Sequence, residues 1–134
     1  MGAMVFVAFI VWHLLRFVLS AQWVSADVVC AAISGYLLMG VLWAFAYFLT
    51  AQLVPESFVF SAGPPSNRSM MGFEAIYFSF VTLSTIGYGD ITPASPVARM
   101  LSVTEAITGM FYMTVLIARL VAVYSRGPRT VSRR

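Results

Sequence analysis

The feature that most constrains this sequence is a short glycine-rich segment inside a strongly apolar chain. The segment runs Thr85-Ile86-Gly87-Tyr88-Gly89, and the chain has 134 residues, 60% hydrophobic and 10% charged. Soluble domains carry about 25% charged residues, so a membrane protein is predicted. Irregular backbone survives inside a bilayer only where protein shields it or where it lines an aqueous cavity. Alternate glycines relax the restriction on φ, so successive carbonyl groups can face one axis and replace the hydration shell of a cation.

Three apolar stretches are long enough to cross a bilayer core of ~30 Å. They cover residues 4–24, 28–53 and 97–124. Residues 70–84 are apolar but too short to span, which is typical of a re-entrant or buried helix. Residues 55–69 are rich in Pro, Gly, Ser and Asn and predict a solvent-exposed loop. We therefore expect an all-α membrane protein, with the glycine-rich segment between a short helix and the last span.

Residues 1–27 are predicted to form an additional transmembrane or peripheral helix. A signal peptide is the alternative, because the small residue Ala21 follows the apolar run. His13 and Arg16 interrupt that run, and no basic residue precedes it, which favours the helix. A voltage sensor would need a regular series of arginines, and this stretch contains only Arg16.

The positive charge of the chain is concentrated at its C-terminal end. All eight basic residues are arginines, and four of them lie within residues 125–134. Positively charged flanks of membrane spans face the cytoplasm, so these residues are predicted to form a basic cytoplasmic tail. We expect a multi-pass protein of the plasma membrane, in contact with the lipid bilayer and without a nucleic-acid partner.

The succession of a span, a short helix, Thr-Ile-Gly-Tyr-Gly-Asp and a second span resembles the pore module of tetrameric potassium channels. The resemblance covers residues 28–124. It implies an outer helix, a re-entrant pore helix with a selectivity filter, and an inner helix in each of four identical subunits. It also implies potassium as the permeant ion and no further cofactor. Carbonyl-ring selectivity of this kind is a known mechanism of channels.

By this resemblance, the backbone oxygens of Thr85, Ile86, Gly87 and Tyr88 are the potassium ligands. The hydroxyl group of Thr85 would add the innermost ring of oxygens, and Gly89 would close the outer end of the filter. The side chain of Tyr88 would point away from the ions, into a packed cuff around the filter.

The resemblance also assigns the residues that support the filter and its outer mouth. Asp90 would flank the external mouth, and Tyr77 and Phe78 stand where many family members have tryptophans. Tyr77 can donate a hydrogen bond to Asp90, whereas Phe78 cannot donate to Tyr88. Val81 replaces a glutamate that pairs with the filter aspartate in some bacterial members. These departures imply a filter held by fewer hydrogen bonds than is usual in the family.

In the last span, Gly109 lies twenty residues beyond Gly89 and resembles the hinge glycine of the family. A small residue for close packing is an alternative role, and both are compatible. Met110, Met113 and Ile117 follow at helical spacing and are the candidates for lining the inner cavity.

Glu105 is energetically unfavourable in the last span, because an ionisable group within a membrane requires a polar partner. Ser79 and Thr82 on the short helix are candidate partners, and a protonated carboxyl group is an alternative. Trp43 and Tyr47 near the end of the second span are expected to anchor it in lipid or by packing.

The leading functional prediction is a potassium-selective subunit that conducts passively. A non-selective cation channel is an alternative that the presence of Tyr88 disfavours. A subunit of a potassium-uptake system is a second alternative, disfavoured because the chain carries one copy of the module with both glycines intact. An enzyme is not expected, because the sequence has one His and shows neither a nucleophile with a base nor metal-ligand spacing.

Overall fold

A computed structural model describes residues 26–61 and 69–124, together with a few helical positions between residues 9 and 20. The predictions of an additional helix at the N-terminus and of a basic tail at residues 125–134 otherwise lie outside the described residues.

Five elements follow one another in the described chain. They are α1 (Ala26–Leu53), β1 (Phe58–Phe60), α2 (Phe73–Leu83), β2 (Ile91–Pro93) and α3 (Pro96–Tyr124). Of the described helices, α1 and α3 are long and apolar enough to cross a membrane. With 11 residues, α2 is too short to do so. The predicted order of a spanning helix, a short apolar helix and a second spanning helix is confirmed.

A small sheet was not predicted by the sequence. β1 pairs antiparallel with β2, with Phe58 opposite Pro93 and Phe60 opposite Ile91. The region that the sequence predicts as loop therefore contains one strand. A strand of three residues is too short to show the alternation of apolar and polar side chains. The sequence pattern therefore does not predict it. The sheet joins the end of α1 to the chain that leaves the glycine-rich segment.

The core lies between α1, α2 and the sheet. The rings of Tyr47, Phe58 and Phe78 meet edge to face, with centroids 4.8 Å to 5.8 Å apart. Such pairs add ~0.5–1.5 kcal/mol each to the effect of burial alone. The cluster of buried apolar residues consists of Ala44, Tyr47, Met70, Ala75, Phe78 and Ile91. This core fixes the short helix against the first span.

Two glycines allow α2 to approach both spanning helices closely. A Cβ atom at Gly40 would lie 2.7 Å from the ring of Phe80. At Gly109 it would collide with the backbone carbonyl oxygen of Leu83, the last residue of α2. The structure thus gives Gly109 a packing role, while its role as a hinge stays a prediction.

One face of α3 is left uncovered by the other described residues. In the most apolar window of each helix, 33% of α1 but only 11% of α3 is buried. The large exposed apolar side chains of α3 include Met100, Val103, Ile107, Met110, Phe111, Met113, Ile117 and Val121. Lipid or further protein must cover this surface in a membrane.

Candidate functional site

The candidate site begins where α2 ends. The N–H of Thr85 donates to the carbonyl of Thr82, and the N–H of Ile86 donates to the carbonyl of Val81, both at 2.9 Å. This pair of bonds defines a Schellman motif, a helix end in which the residue after the C-cap is left-handed. Thr85 occupies that position with a φ of 59°. The first residue of the glycine-rich segment is therefore part of the cap of α2.

Beyond Thr85, the backbone changes hand at alternate residues. Gly87 and Gly89 have φ values of 58° and 79°, whereas Ile86 and Tyr88 between them are not left-handed. The two glycines stand where side chains would be strained, as the sequence predicts.

The backbone amide groups of this segment differ from its carbonyl groups in their hydrogen bonding. The N–H of Gly87 donates to the carbonyl of Val81 at 3.3 Å, which extends the attachment of the segment to α2. Within the part of the chain that the structure describes, no hydrogen bond ends on a backbone carbonyl of residues 85–89. Residues 85–89 are exposed on the single chain, and inside a bilayer their carbonyl groups need a partner. We call the carbonyl groups of residues 85–89 the carbonyl row; without protein partners, they are available to coordinate a dehydrated cation.

Threonine is energetically unfavourable at position 85. Left-handed φ values are genuine outliers for β-branched residues and cost about 1–3 kcal/mol. Glycine is the usual residue there, since it adopts this conformation without penalty. Unlike glycine, threonine brings a hydroxyl group to the first position of the carbonyl row. The role in ion binding that the resemblance implies for this hydroxyl group would account for the residue type.

Replacing Thr85 by glycine is expected to separate stability from ion conduction. Thr85→Gly relieves the left-handed strain and should stabilise the end of α2 by about 1 kcal/mol. Because it also removes the hydroxyl oxygen, the predicted role of Thr85 as a potassium ligand implies a lower conductance. Thermal unfolding and flux into vesicles measure the two effects. Thr85→Ser is the matched control, because it keeps the hydroxyl group and should retain most of the conductance. Full conductance in Thr85→Gly would contradict a role for the hydroxyl group.

Asp90 is held in place from three directions at the other end of the segment. The Tyr77 hydroxyl donates to its carboxylate at 2.7 Å, as the sequence predicts. The N–H of Ile91 donates to the second carboxylate oxygen at 3.0 Å, and the N–H of Ser61 donates to its carbonyl at 2.7 Å. Asp90 therefore connects the exit of the segment to α2 and to the chain beyond β1.

The bond to Asp90 raises the pKa of Tyr77 from 10.0 to about 12, with burial as a smaller cause. A raised folded-state pKa means that the proton stabilises the fold. The contribution is complete below pH 10 and is lost as the pH rises through about 12. Across the physiological range, the Tyr77 hydroxyl therefore remains a hydrogen-bond donor.

Phe78 is one of the residues that the resemblance assigns to the support of the filter. It is buried in the core, with its ring against Tyr47 and Phe58. The residue thus holds α2 against α1, and its support of a filter stays a prediction. Tyr88, by contrast, is 69% exposed, and Ile86 is also exposed. The other described residues do not cover these apolar side chains.

The cavity candidates lie on the uncovered surface of α3. Met110, Met113 and Ile117 are all exposed, whereas Gly109 is buried against α2. The spacing of three and four residues places the exposed three along one face of the helix. They are free to line a cavity between copies of the chain, which stays a prediction.

Glu105 has two partners, of which the sequence indicates one. It is fully buried, and its carboxyl group contacts the hydroxyl groups of Ser79 at 2.5 Å and of Tyr47. Ser79 was one of the two candidates, and Thr82 is not bonded to it. Of the two roles expected for Tyr47, the structure shows the anchor by packing, because its side chain is completely buried. A carboxyl group in a span requires hydrogen-bond partners. A tyrosine in the neighbouring span was therefore the feature of the sequence that could have indicated this contact.

Comparison with known proteins identifies the class of protein that this fold and site define. A sequence model of a family described as ion channel matches residues 35–126. Because this match covers more than half of the chain, the chain belongs to this ion-channel family. It is a membrane protein with an ion-channel pore domain, rather than an enzyme, as the sequence predicts.

The relatives that the chain matches include several potassium channels. It is 39% identical over 87 residues to a two pore potassium channel of Oryza sativa subsp. japonica, covering 65% of this chain and 17% of that protein. It is 33% identical over 104 residues to an inward rectifier potassium channel of Paramagnetospirillum magnetotacticum, covering 77% and 32%. It is 36% identical over 55 residues to a voltage-gated potassium channel of Aeropyrum pernix, covering 40% and 19%. The chain thus spans less than a third of each of these three relatives. No solved structure gives a significant match.

Proposed function

We propose that this chain is the pore-forming subunit of a potassium-selective channel that conducts passively across the plasma membrane. The observation that carries the proposal is the carbonyl row at residues 85–89, which accepts no hydrogen bond from the described residues, with left-handed backbone at alternate positions. In this proposal, the backbone oxygens of Thr85, Ile86, Gly87 and Tyr88 bind potassium, together with the Thr85 hydroxyl group. Similarity to proteins named as potassium channels supports the choice of ion.

Four identical subunits form the pore in this proposal. One chain is too small to enclose a pore, and its described residues leave Tyr88 and one face of α3 without cover. Four copies around an axis would bring four carbonyl rows together and would cover these apolar surfaces. Met110, Met113 and Ile117 then line the cavity on the cytoplasmic side of the filter, and the C-terminus is cytoplasmic.

The cap of α2 suits the entrance of such a filter. A helix carries partial negative charge at its C-terminal end. Thr85 directly continues that end, so a cation bound by its oxygens experiences this partial charge. No carboxylate is needed at the inner site, where a full charge would hold the ion too tightly for conduction.

The test is the reversal potential of the purified chain in planar bilayers with potassium and sodium gradients. A potassium-selective pore shifts its reversal potential by about 59 mV for each tenfold change in potassium. Replacing potassium by sodium on one side should then move the potential strongly. Equal responses to both ions would identify a non-selective cation channel, and a potential insensitive to potassium would refute the proposed function.

A further inference from the structure

The carboxyl group of Glu105 lies outside the row of carbonyls, yet it connects all three described helices. Its Oε2 atom accepts from the Tyr47 hydroxyl on α1, and its Oε1 atom lies 2.5 Å from the Ser79 Oγ atom on α2. Ser79 Oγ also lies 2.7 Å from the backbone carbonyl of Gly40 on α1. We call these four residues, Tyr47, Glu105, Ser79 and Gly40, the carboxyl node.

The hydrogen atoms of the carboxyl node can be counted. It contains three oxygen–oxygen contacts: Tyr47 to Glu105, Glu105 to Ser79, and Ser79 to Gly40. Each contact needs one hydrogen, and each hydroxyl group has one to donate. Tyr47 and Ser79 supply two, and the Gly40 carbonyl has none. The third hydrogen must come from Glu105, which is then a neutral carboxylic acid that donates to Ser79 while Ser79 donates to Gly40.

The surroundings of the node favour a neutral acid. Glu105 has 0% of its surface exposed, and the ring of Tyr47 is enclosed by Phe58 and Phe78. No cationic side chain forms an ion pair with Glu105 among the described residues. An unpaired buried carboxylate is far more costly than a hydrogen-bonded neutral group. The protonated form satisfies every contact of the node.

The node also holds α2 and α3 in register. Ser79 meets Glu105, and four residues further along both helices Leu83 meets Gly109. Four residues are about one helical turn. The first contact is an attraction and the second is a steric limit, so together they fix how far α2 can slide or tilt. Thr85 follows Leu83 by two residues.

We infer that Glu105, as a neutral carboxylic acid, is a positioning residue for the filter. It ties α2 to both spanning helices, so that the carbonyl groups of residues 85–89 keep the arrangement that potassium selectivity requires. This inference rests on the proposed function and adds to it a determinant of selectivity that does not touch the ion.

The test compares the permeability ratio of potassium to sodium in a set of variants. Glu105→Gln keeps the node intact, because the amide oxygen accepts from Tyr47 and the amide nitrogen donates to Ser79. It should stay within about twofold of the wild type. Ser79→Ala and Tyr47→Phe each remove a hydroxyl group and leave a buried partner unsatisfied. Each should lower the permeability ratio by about tenfold.

Tyr112→Phe is the matched control. Tyr112 also joins the two spanning helices, by donating to the carbonyl of Ala32 at 2.5 Å, but its bond does not involve α2. Loss of that bond should leave the permeability ratio unchanged, even where it lowers the thermal midpoint as much as Tyr47→Phe does. The comparison therefore separates positioning of the filter from general stabilisation.

The outcomes distinguish the inference from the proposed function. A wild type that does not select potassium refutes the proposed function. A selective wild type with unchanged ratios in Ser79→Ala and Tyr47→Phe overturns the positioning role alone. A large loss of selectivity in Glu105→Gln overturns the assignment of Glu105 as a neutral carboxylic acid. Tyr47→Phe, which keeps its ring and packing, decides the result where Ser79→Ala does not assemble.

Discussion

Replacing Gly109 by alanine is expected to prevent α3 from packing against α2 and to abolish most assembled, conducting protein. The added Cβ atom would collide with the carbonyl oxygen of Leu83 and would lie only 3.0 Å from its Cδ1 atom. A backbone carbonyl cannot turn aside without moving the cap of α2, and Thr85 with it. Overpacking of this kind costs about 1–3 kcal/mol or more.

The measurement for Gly109→Ala is the assembled fraction after extraction, followed by flux in vesicles. Gly40→Ala is the matched control, since its Cβ atom meets the ring of Phe80, a side chain that can rotate. We expect Gly40→Ala to assemble and conduct with a smaller loss of stability. Normal assembly of Gly109→Ala would contradict the packing role, and altered gating in such a protein would support the predicted hinge.

Replacing Gly87 by alanine is expected to abolish potassium selectivity while leaving assembly intact. Its φ is 58°, and nothing lies within 4 Å of an added Cβ atom, so the effect comes from the backbone rather than from a collision. Side chains in this region cost about 1 kcal/mol relative to glycine. Relief of that strain requires a rotation that turns the adjoining carbonyl groups away from their row. We expect the permeability ratio of potassium to sodium to fall by at least about tenfold.

Gly72→Ala provides a control with the same local conditions. Gly72 has a φ of 53° and equally open surroundings, but it precedes α2 and lies outside the carbonyl row. It should lose similar stability with no change in selectivity. Equal losses of selectivity in both variants would show that the strain acts through the fold as a whole, against a specific role of Gly87.

The helices of this chain could be predicted from sequence because they depend on local composition. Apolar runs of 28–53 and 97–124 predict helices observed at Ala26–Leu53 and Pro96–Tyr124. The two strands could not be predicted, since three-residue strands show no period and their pairing joins residues more than thirty positions apart.

The site was predictable only in part. The glycine-rich segment and the bond from Tyr77 to Asp90 follow from a resemblance to a known family, and the bond is present in the structure. The contact of Tyr47 with Glu105 spans 58 positions and follows from no periodicity. The left-handed Thr85 contradicts local propensity, which places glycine there. The first exception depends on a tertiary contact, and the second is explained by the ion binding that we propose for Thr85.

The sheet of β1 and β2 affects how far the chain length at residues 62–68 can vary. The chain enters residues 62–68 from Ser61, whose N–H donates to Asp90, and leaves them towards the buried Met70. Both ends are thus held by contacts with described residues. Doubling the length of such a connection adds only about 0.6 kcal/mol of closure entropy. Insertions or reporter tags at this point should therefore leave the exit of the filter in place.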